Sequence, residues 1–295
     1  MARPSRVLIV WNEGSGYGRA ASLARACADA LLPTFPVTLA PAGSGLPDPL
    51  ADATDDDLAV LVGGDGTVHH ALPSLLRTRA AAYQVPTGTE NLFARDWGMT
   101  RDPARLRGAI QRWRVTRADL GAIDARPMAI MASTGFDASI IARRAAATRR
   151  GEGHLAYLLP LVEELVRPTF PRLSLTIDGR TLVQAQPGLA IVAVSRQYAA
   201  RLDPLDRART DDGLLDAAFL PCASRAEAFV LALHAWTRRL DDLEGVHRAR
   251  GRAVQVVSHD GPAPVQADGE RLDPRSAWRA ETLPDTLRVL DARDL

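Results

Sequence analysis

Three glycines, an aspartate and a threonine stand together directly after a short apolar run, as Gly-Gly-Asp-Gly-Thr at residues 63–67. Glycine lets the backbone approach a ligand without a Cβ in the way, and successive N–H groups ahead of a helix form a concavity that suits phosphate. Residues 58–62 are too few for a helix and rich in branched side chains, so they predict a strand buried in a parallel sheet. The loop therefore predicts a phosphate site at the carboxyl end of that strand, where open α/β sheets bind ligands. The alternative is an ordinary strand-to-helix turn in which Asp65 is solvated.

A second glycine turn follows one strand later, within residues 83–95. The predicted strand ends before Gly88 and Thr89, and Thr89 is predicted to cap the next helix while its hydroxyl and N–H stay available to phosphate. The chain has no lysine, which excludes the Walker loop, and the G-x-G-x-x-G dinucleotide pattern is not matched. Phosphate charge must therefore be met by backbone N–H groups, by arginine or by a metal ion.

Two acidic turns lie in the second half of the sequence. Asp211 and Asp212 precede a glycine and a predicted strand that runs to residue 220, and paired carboxylates can hold a divalent ion directly or through water. Asp268 and Gly269 favour a two-residue hairpin turn, and Glu270 follows them. Each pattern is also common in turns without any chemistry, so the residues alone leave both interpretations open.

Taken in order, these runs resemble those of the diacylglycerol kinase catalytic-domain superfamily, which includes sphingosine kinases and bacterial lipid kinases. Residues 63–67 look like the nucleotide loop of that family, and NAD kinases and 6-phosphofructokinases carry a related loop. The second turn is similar to the lipid-kinase pattern Pro-x-Gly-Thr-x-Asn-x-x-Ala. The matching residues are Pro86, Gly88, Thr89, Asn91 and Ala94. The second motif of NAD kinases, built around Asn-x-Gly and Leu-Gly-Phe, is not found in the sequence.

The resemblance implies ATP and Mg²⁺ as cofactors and assigns roles to particular residues. Glu270 is implied as the base that removes the proton of the acceptor hydroxyl, and Asp65 as a second catalytic group that helps to organise Mg²⁺. Asp212 is implied as the metal residue, with Arg209 and Leu214 as neighbouring, backbone ligands. The implied nucleotide-binding residues are Asn12, Gly63, Gly64, Asp65, Gly66, Thr67, Gly88, Thr89 and Asn91.

The chain departs from the family pattern at several positions. Glu13 stands where proline is common, His69 and His70 where relatives often have asparagine or glutamate, and Leu92 where many members have aspartate. Any polar contact that this aspartate makes is lost here. The departures keep one alternative open, a protein that binds nucleotide or lipid without transferring phosphate.

Strands and helices alternate up to residue 114, which predicts a doubly wound, mostly parallel, Rossmann-like sheet in a domain of residues 1–120. The family resemblance implies that this domain binds nucleotide and that its fold is similar to those of NAD kinase and phosphofructokinase. Strands without regular helices between them then predict a mainly β sandwich in residues 121–295, with a last strand, 287–290, that returns to the first domain. The predicted strands are residues 115–123, 128–132, 173–177, 182–185, 189–194, 253–257 and 265–267. Helices are predicted at residues 68–77, 102–114 and 226–240, and a helical insert at residues 139–147 and 155–166.

Composition limits the class of protein. The chain has 295 residues, 46% hydrophobic and 24% charged, with a net charge of +1, which is typical of a globular protein and argues against nucleic-acid binding driven by overall charge. We find no membrane span and no signal peptide, and Cys27 and Cys222 have no metal-ligand spacing, so we expect reduced thiols in a cytoplasmic protein. The arginines of residues 143–150 could meet an anionic membrane surface transiently, and a solvated face is the alternative. A homodimer stays an open option.

The predicted activity is ATP- and Mg²⁺-dependent transfer of the γ-phosphate to a lipid hydroxyl, of diacylglycerol or a sphingoid-type alcohol. An NAD-kinase-like enzyme is the nearest alternative. No residue pattern selects one lipid among those with a hydroxyl beside apolar chains.

Overall fold

The computed structural model describes residues 4–12, 18–43, 45–149 and 170–295. The chain divides into two compact units. The first comprises Met1–Leu120 and Pro284–Leu295, and the second comprises Gly121–Leu283.

The first unit is built on a parallel sheet, which confirms the predicted fold class. Its strands in the described chain lie in the order β15, β4, β3, β1, β2, and each neighbouring pair is parallel. Their bounds are β1 (Val7–Asn12), β2 (Val37–Ala42), β3 (Leu58–Gly63), β4 (Ala81–Pro86) and β15 (Ala277–Leu290). Every residue of β3 is buried, as expected for a central strand covered by helices on both faces.

Helices follow the strands of this sheet. They are α1 (Ala20–Leu31), α2 (Asp65–Thr78), α3 (Leu92–Asp96) and α4 (Pro103–Arg112). The prediction began α2 at residue 68, whereas the helix starts at Asp65, so the glycine loop itself enters the first turn. The predicted helix 102–114 is shorter, because Trp113 adopts a left-handed conformation that ends it.

The second unit is a β sandwich, as predicted. One sheet has the order β14, β13, β7, β9, β10, β11, and the other joins β9, β8, β12 and β15. The bounds are β5 (Val115–Ile123), β6 (Arg126–Met128), β7 (Met131–Thr134), β8 (Arg172–Ile177), β9 (Arg180–Ala193), β10 (Leu215–Pro221), β11 (His247–Gly251), β12 (Ala253–Ser258), β13 (Ala263–Ala267) and β14 (Glu270–Arg275). Leu175, Val192, Phe219, Val256 and Trp278 are among the buried residues of its core.

Strand β9 serves both sheets of the sandwich. The prediction broke it into two strands at Pro187, but the ladder continues through that residue. Residues 180–187 pair with β8 and residues 188–193 pair with β10. Because the proline lies where the strand exchanges one partner for another, its missing N–H is tolerated.

Two described helices belong to this unit, α5 (Phe136–Arg149) and α6 (Arg225–Trp236). The predicted helix 139–147 lies within α5, although the side chains of residues 143–149 and the predicted helix 155–166 lie outside the described residues. The predicted helix 226–240 ends at Trp236, and a 3₁₀ turn follows at Leu240–Asp242. Strands β11 and β14 were not predicted.

Candidate active site

The glycine loop of the first unit is packed too closely to hold side chains. Gly64 is the N-cap of α2, so the loop presents N–H groups at the start of that helix. A Cβ on Gly63 would lie 2.0 Å from Thr67 Oγ1. The threonine hydroxyl therefore occupies the space that only glycine leaves, which explains the glycine at position 63.

The two glycine loops touch each other through their backbones. A Cβ on Gly88 would lie 2.7 Å from the Cα of Gly64. The Gly63 carbonyl accepts hydrogen bonds from Thr87 N at 3.1 Å and from Gln84 Nε2 at 3.0 Å. The two predicted phosphate-binding runs thus form one continuous surface at the carboxyl ends of β3 and β4.

Asn12 ends the neighbouring strand β1 at the same edge of the sheet. The register pairs Trp11 with Val62 and Gly63 with Pro86, so the carboxyl ends of β1, β3 and β4 lie side by side. All nucleotide-binding residues predicted from the sequence therefore lie at or just beyond this edge.

Asp65 connects the starts of two helices. It is the first residue of α2, and its Oδ1 accepts a hydrogen bond from Phe93 N, at the start of α3, at 3.1 Å. A carboxylate near helix N-termini is favoured by the helix dipoles. The side chain is half-buried and held in a defined direction, unlike the solvated turn residue of the alternative interpretation.

Asn91, rather than Thr89, shapes the second loop, so the predicted threonine cap is wrong. Asn91 is the N-cap of α3 at a φ of 50°, a conformation that asparagine tolerates better than most residues. Its Oδ1 accepts from Gly88 N at 2.8 Å, and its Nδ2 donates to Gly88 O at 2.7 Å. The asparagine closes the turn, and Thr89 lies exposed on it.

The acidic turn before β10 is neutralised by an arginine. Arg250 Nη2 donates to Asp212 Oδ2, and Arg250 Nε donates to Asp216 Oδ2 at 3.2 Å. Asp212 Oδ1 also accepts from Leu214 N at 3.2 Å. Burial raises the pKa of Asp216, Arg250 opposes this effect, and the negative charge of Asp212 adds to it.

Whether the turn before β10 suits Mg²⁺ depends on the oxygen ligands that its residues offer. Arg209 is exposed and donates to Asp211 from Nε and Nη2 at 2.9 and 3.2 Å, so only its backbone could serve a metal ion. Within the described ranges no group of three or more His, Cys, Asp or Glu residues converges. One Asp212 carboxylate with carbonyl groups and water is a composition that Mg²⁺ accepts, in competition with the guanidinium of Arg250.

Asp212 and Glu270 belong to turns on strands that are not neighbours in the sheet. Both lie at the same end of one sheet, because Asp216 pairs with Ala193, Ala193 with Met131, and the hairpin of Glu270 follows the next strand. Four strand spacings separate β10 from β14, which is roughly 19 Å at about 4.8 Å each.

The Asp-Gly pair before Glu270 forms the predicted two-residue hairpin. Asp268 and Gly269 have φ values of 52° and 81°, and Ala267 pairs with Glu270. Glu270 is the first residue of β14 and is half-buried. The hairpin is therefore a fixed turn that presents one carboxylate.

Asp268 has a role that the sequence analysis missed. Its carboxylate is buried and accepts three backbone N–H groups, from Ala129 at 2.9 Å, Ile130 at 2.8 Å and Met131 at 3.1 Å. It fastens the hairpin to the start of β7. No local sequence signal could reveal this contact, because the partners are about 140 residues away and offer only backbone groups.

Asp137, at the start of α5, belongs to a partly buried polar cluster that was also missed. Its Oδ2 accepts from Ser133 Oγ at 2.7 Å and from Tyr198 Oη at 2.9 Å. Burial raises the pKa of Asp137, and the two hydroxyl hydrogen bonds oppose the shift. Burial and the neighbouring Asp137 raise the pKa of Tyr198 well above its usual range.

Two family models match the chain. The diacylglycerol kinase catalytic domain matches residues 6–123, and the YegS C-terminal NAD kinase beta sandwich-like domain matches residues 130–291. A diacylglycerol kinase of Mycobacterium tuberculosis is 30% identical over 82% of this chain and 79% of its own. A Pseudomonas aeruginosa protein named as a YegS-like lipid kinase is 28% identical over 77% of this chain and 74% of its own.

Solved structures share the fold. A diacylglycerol kinase of Bacillus anthracis gives a TM-score of 0.72 at 20% identity, over 97% of each chain. A yeast NADH kinase complexed with NADH gives a TM-score of 0.53 at 11% identity, over 97% of this chain and 82% of its own. The family matches and the identity to the mycobacterial enzyme show that the chain belongs to the diacylglycerol kinase catalytic-domain superfamily, among kinases similar to diacylglycerol kinase and YegS-like lipid kinases.

Proposed function

We propose that the chain is an ATP- and Mg²⁺-dependent lipid kinase that transfers the γ-phosphate to a lipid hydroxyl, of diacylglycerol or a sphingoid-type alcohol. The observation that carries the proposal is the backbone contact between Gly64 and Gly88, which joins two loops of N–H donors into one surface. Phosphoryl transfer depends mainly on positioning and charge neutralisation, which such a surface can supply.

The first unit holds ATP in this proposal. Residues 63–67 and Thr89 bind phosphate oxygens, since the chain has no lysine to do so. Thr67 N already donates to Gly64 O at 3.0 Å, so Gly64, Asp65 and Gly66 supply the N–H groups of the first loop, and Thr89 adds its N–H and hydroxyl. Asp65, fixed by Phe93 N, lies beside both helix starts. Asn91 holds Gly88 in the shape that brings the two loops together.

Glu270 is the proposed general base. Its hairpin is fastened by Asp268, so its backbone position is fixed before any substrate arrives. Proton transfer from the acceptor hydroxyl to a positioned carboxylate makes the oxygen nucleophilic as it attacks the γ-phosphorus. The bond from the γ-phosphorus to the bridging oxygen breaks, and ADP leaves with its electron pair.

Mg²⁺, when bound, neutralises charge on the phosphates. In the first unit Asp65 would hold a magnesium ion, and in the second unit Asp212 would do so with the Arg209 and Leu214 backbone groups. Because strand spacing separates Asp212 from Glu270, we assign Asp212 an organising role away from the acceptor hydroxyl.

The proposal includes transient contact with a membrane surface by a cytoplasmic protein. Helix α6 supports such contact, because Phe229 and Trp236 are 72% and 70% exposed and Leu233 lies on the same face. None of the described helices combines the length and the apolar character that a membrane span needs. Cys27 and Cys222 are buried free thiols, in keeping with a reducing compartment, and burial raises the pKa of each to about 11.

An NAD-kinase-like activity is the second candidate, since the fold is shared with a yeast NADH kinase. The second loop, with Gly88 closed by Asn91, argues against it because it follows the lipid-kinase pattern. A binding protein without transfer activity is the third, because Leu92 replaces an aspartate common in the family.

The deciding experiment follows labelled γ-phosphate from ATP with Mg²⁺ into a panel of lipid alcohols in mixed micelles, with NAD and sugar phosphates as controls. The proposal predicts a labelled lipid with the wild-type chain and none with Glu270→Gln, which should still bind ATP. Label in NAD alone would support the second candidate. ATP binding with no label in any acceptor would support the third.

A further inference from the structure

A continuous path of hydrogen bonds ends at the turn that precedes Glu270. Gly269 N donates to Gln266 Oε1 at 2.9 Å, Gln266 Nε2 donates to Ser133 Oγ at 2.8 Å, and Ser133 Oγ donates to Asp137 Oδ2 at 2.7 Å. The path joins the first turn of α5 to the hairpin through β7 and β13.

Water has little access to the middle of this path, whereas its ends at Asp137 and Gly269 are only partly buried. Gln266 and Ser133 are 4% and 0% exposed. Hydrogen bonds between buried groups cannot be exchanged for water without leaving a donor or acceptor unpaired, so they hold one geometry. The Ser133 and Asp137 side chains already hydrogen-bond to each other within the path. The path is therefore suited to hold the backbone of the hairpin rather than to bind a ligand.

The path constrains the backbone of Gly269, a part of the hairpin to which the Asp268 side chain makes none of its three bonds. Asp268 fastens the turn to the backbone of residues 129–131 through its side chain. Gly269 has a φ of 81° and, as glycine, could adopt several other conformations. Its N–H bond to Gln266 selects one of them, and Glu270 is the next residue.

We propose that Gln266 is a positioning residue, which acts with Ser133 and Asp137 to fix the conformation of Gly269 and hence the direction in which Glu270 leaves the hairpin. This inference rests on the proposed role of Glu270 as the base. Neither Gln266 nor Ser133 needs to touch substrate for this purpose.

The structure offers a matched pair of variants for the test. Ser133→Ala and Tyr198→Phe each remove one hydroxyl that donates to the same Asp137 oxygen, but only Ser133 lies on the path to Gly269. We expect Ser133→Ala and Gln266→Met to lower kcat at least about 10-fold with the KM for ATP unchanged, because a misdirected base costs rate and not nucleotide binding. Tyr198→Phe should change kcat less than about 2-fold, since it leaves every bond of the path in place.

Amide hydrogen exchange provides a readout that does not depend on activity. The Gly269 amide should exchange faster in Ser133→Ala and Gln266→Met than in the wild type or in Tyr198→Phe. Equal losses of kcat in Ser133→Ala and Tyr198→Phe would overturn the inference. The two hydroxyls that donate to Asp137 would then act only through the stability of the folded chain.

The test separates this inference from the proposed function. Full turnover by Glu270→Gln would overturn the base itself. An inactive Glu270→Gln together with a fully active Ser133→Ala would overturn the positioning role alone.

Discussion

At the scale of single residues, the site depends on the absence of side chains. Gly64 and Gly88 come from different motifs, and each leaves the space that the other fills. A Cβ on Gly88 would lie 2.7 Å from the Gly64 Cα, whereas a Cβ on Gly64 would lie 3.2 Å from the Gly88 Cα. The two positions should therefore tolerate alanine to different degrees.

We predict that Gly88→Ala lowers kcat/KM for ATP by about 10²-fold, because the added methyl group pushes the two loops apart and displaces the bound phosphates. Gly64→Ala should lose less. Gly43→Ala is the matched control, since its Cβ would meet only the Leu46 side chain at 3.8 Å. Steady-state kinetics with varied ATP measure the effect, and equal activity of all three variants would contradict the contact.

A buried ion pair of the first unit gives a prediction about pH. Asp57 accepts from Arg6 Nη2 and from Thr54 N, both at 2.9 Å. Burial opposes ionisation of Asp57, but these donors outweigh it, and its pKa lies below the ordinary value of 3.8. A lowered carboxyl pKa means that the stabilisation is present above the ordinary value and is lost as the pH falls toward the lowered one.

We predict that Asp57→Asn lowers the free energy of unfolding by about 1–2 kcal/mol at neutral pH, because asparagine keeps one acceptor but loses the charge that pairs with Arg6. The difference from the wild type should shrink as the pH falls below 3.8. Urea unfolding across that range measures it, with the exposed Asp56→Asn as control. A difference that stays constant with pH would argue against ionisation as its source.

At this scale the sequence predicted residue types better than residue roles. The strand-to-helix turn of residues 63–67 could be predicted because glycines directly after a buried apolar run have a direct physical meaning. The cap at Thr89 was wrong, since Asn91 competes for the same turn with two hydrogen bonds. Asp268 and Gln266 could not be assigned, because their partners lie on strands distant in sequence.

At the scale of elements, strands whose apolar side chains are buried on one or both faces of a sheet were predicted well. Strand β5 has the predicted bounds, and β8 differs from its prediction by one residue. Strand β9 was divided because proline usually ends a strand, and its exchange of partners cannot be deduced from one segment alone. Strands β11 and β14 carry arginine and other polar side chains on exposed faces, so they lack the apolar pattern that predicts a strand.

The second half of β15 provides a test at this scale. Leu287, Val289 and Leu290 are 1%, 0% and 0% exposed, and Val289 pairs with Ala82 of β4. We predict that Leu290→Ala lowers the free energy of unfolding by about 2–5 kcal/mol, because it removes buried methyl groups and leaves a cavity. Leu46→Ala, at a leucine that is 48% exposed, is the control and should change it by less than about 0.5 kcal/mol. Urea unfolding of both variants makes the comparison, and similar losses would contradict the burial.

At the scale of the whole molecule, the two units differ in what they should bind. The two glycine loops, where we propose that ATP binds, lie in Met1–Leu120, and Pro284–Leu295 belongs to the same unit. The Asp268–Gly269 hairpin and the path through Gln266 lie in Gly121–Leu283. A ligand of the first unit should therefore stabilise both of its chain segments.

We predict that a non-hydrolysable ATP analogue at about 100 times its Kd slows amide exchange in the core of the first unit by up to about 10²-fold. Protection should extend to residues 284–295 and be weaker in the β strands of the second unit. Hydrogen exchange measured by mass spectrometry on peptides from each unit tests this. Protection confined to residues 121–283 would move the nucleotide site to the other unit.

The division of the first unit into two chain segments also has a consequence for biosynthesis. A ribosome completes all of residues 121–283 before Pro284–Leu295 leaves its exit tunnel. Until then, the edge of β4 in the parallel sheet has no neighbouring strand. Domains made of one chain segment, by contrast, usually fold as they emerge from the ribosome. The nascent chain would therefore complete its first unit only after translation of the β sandwich, and until then the exposed strand edge would be a target for chaperones.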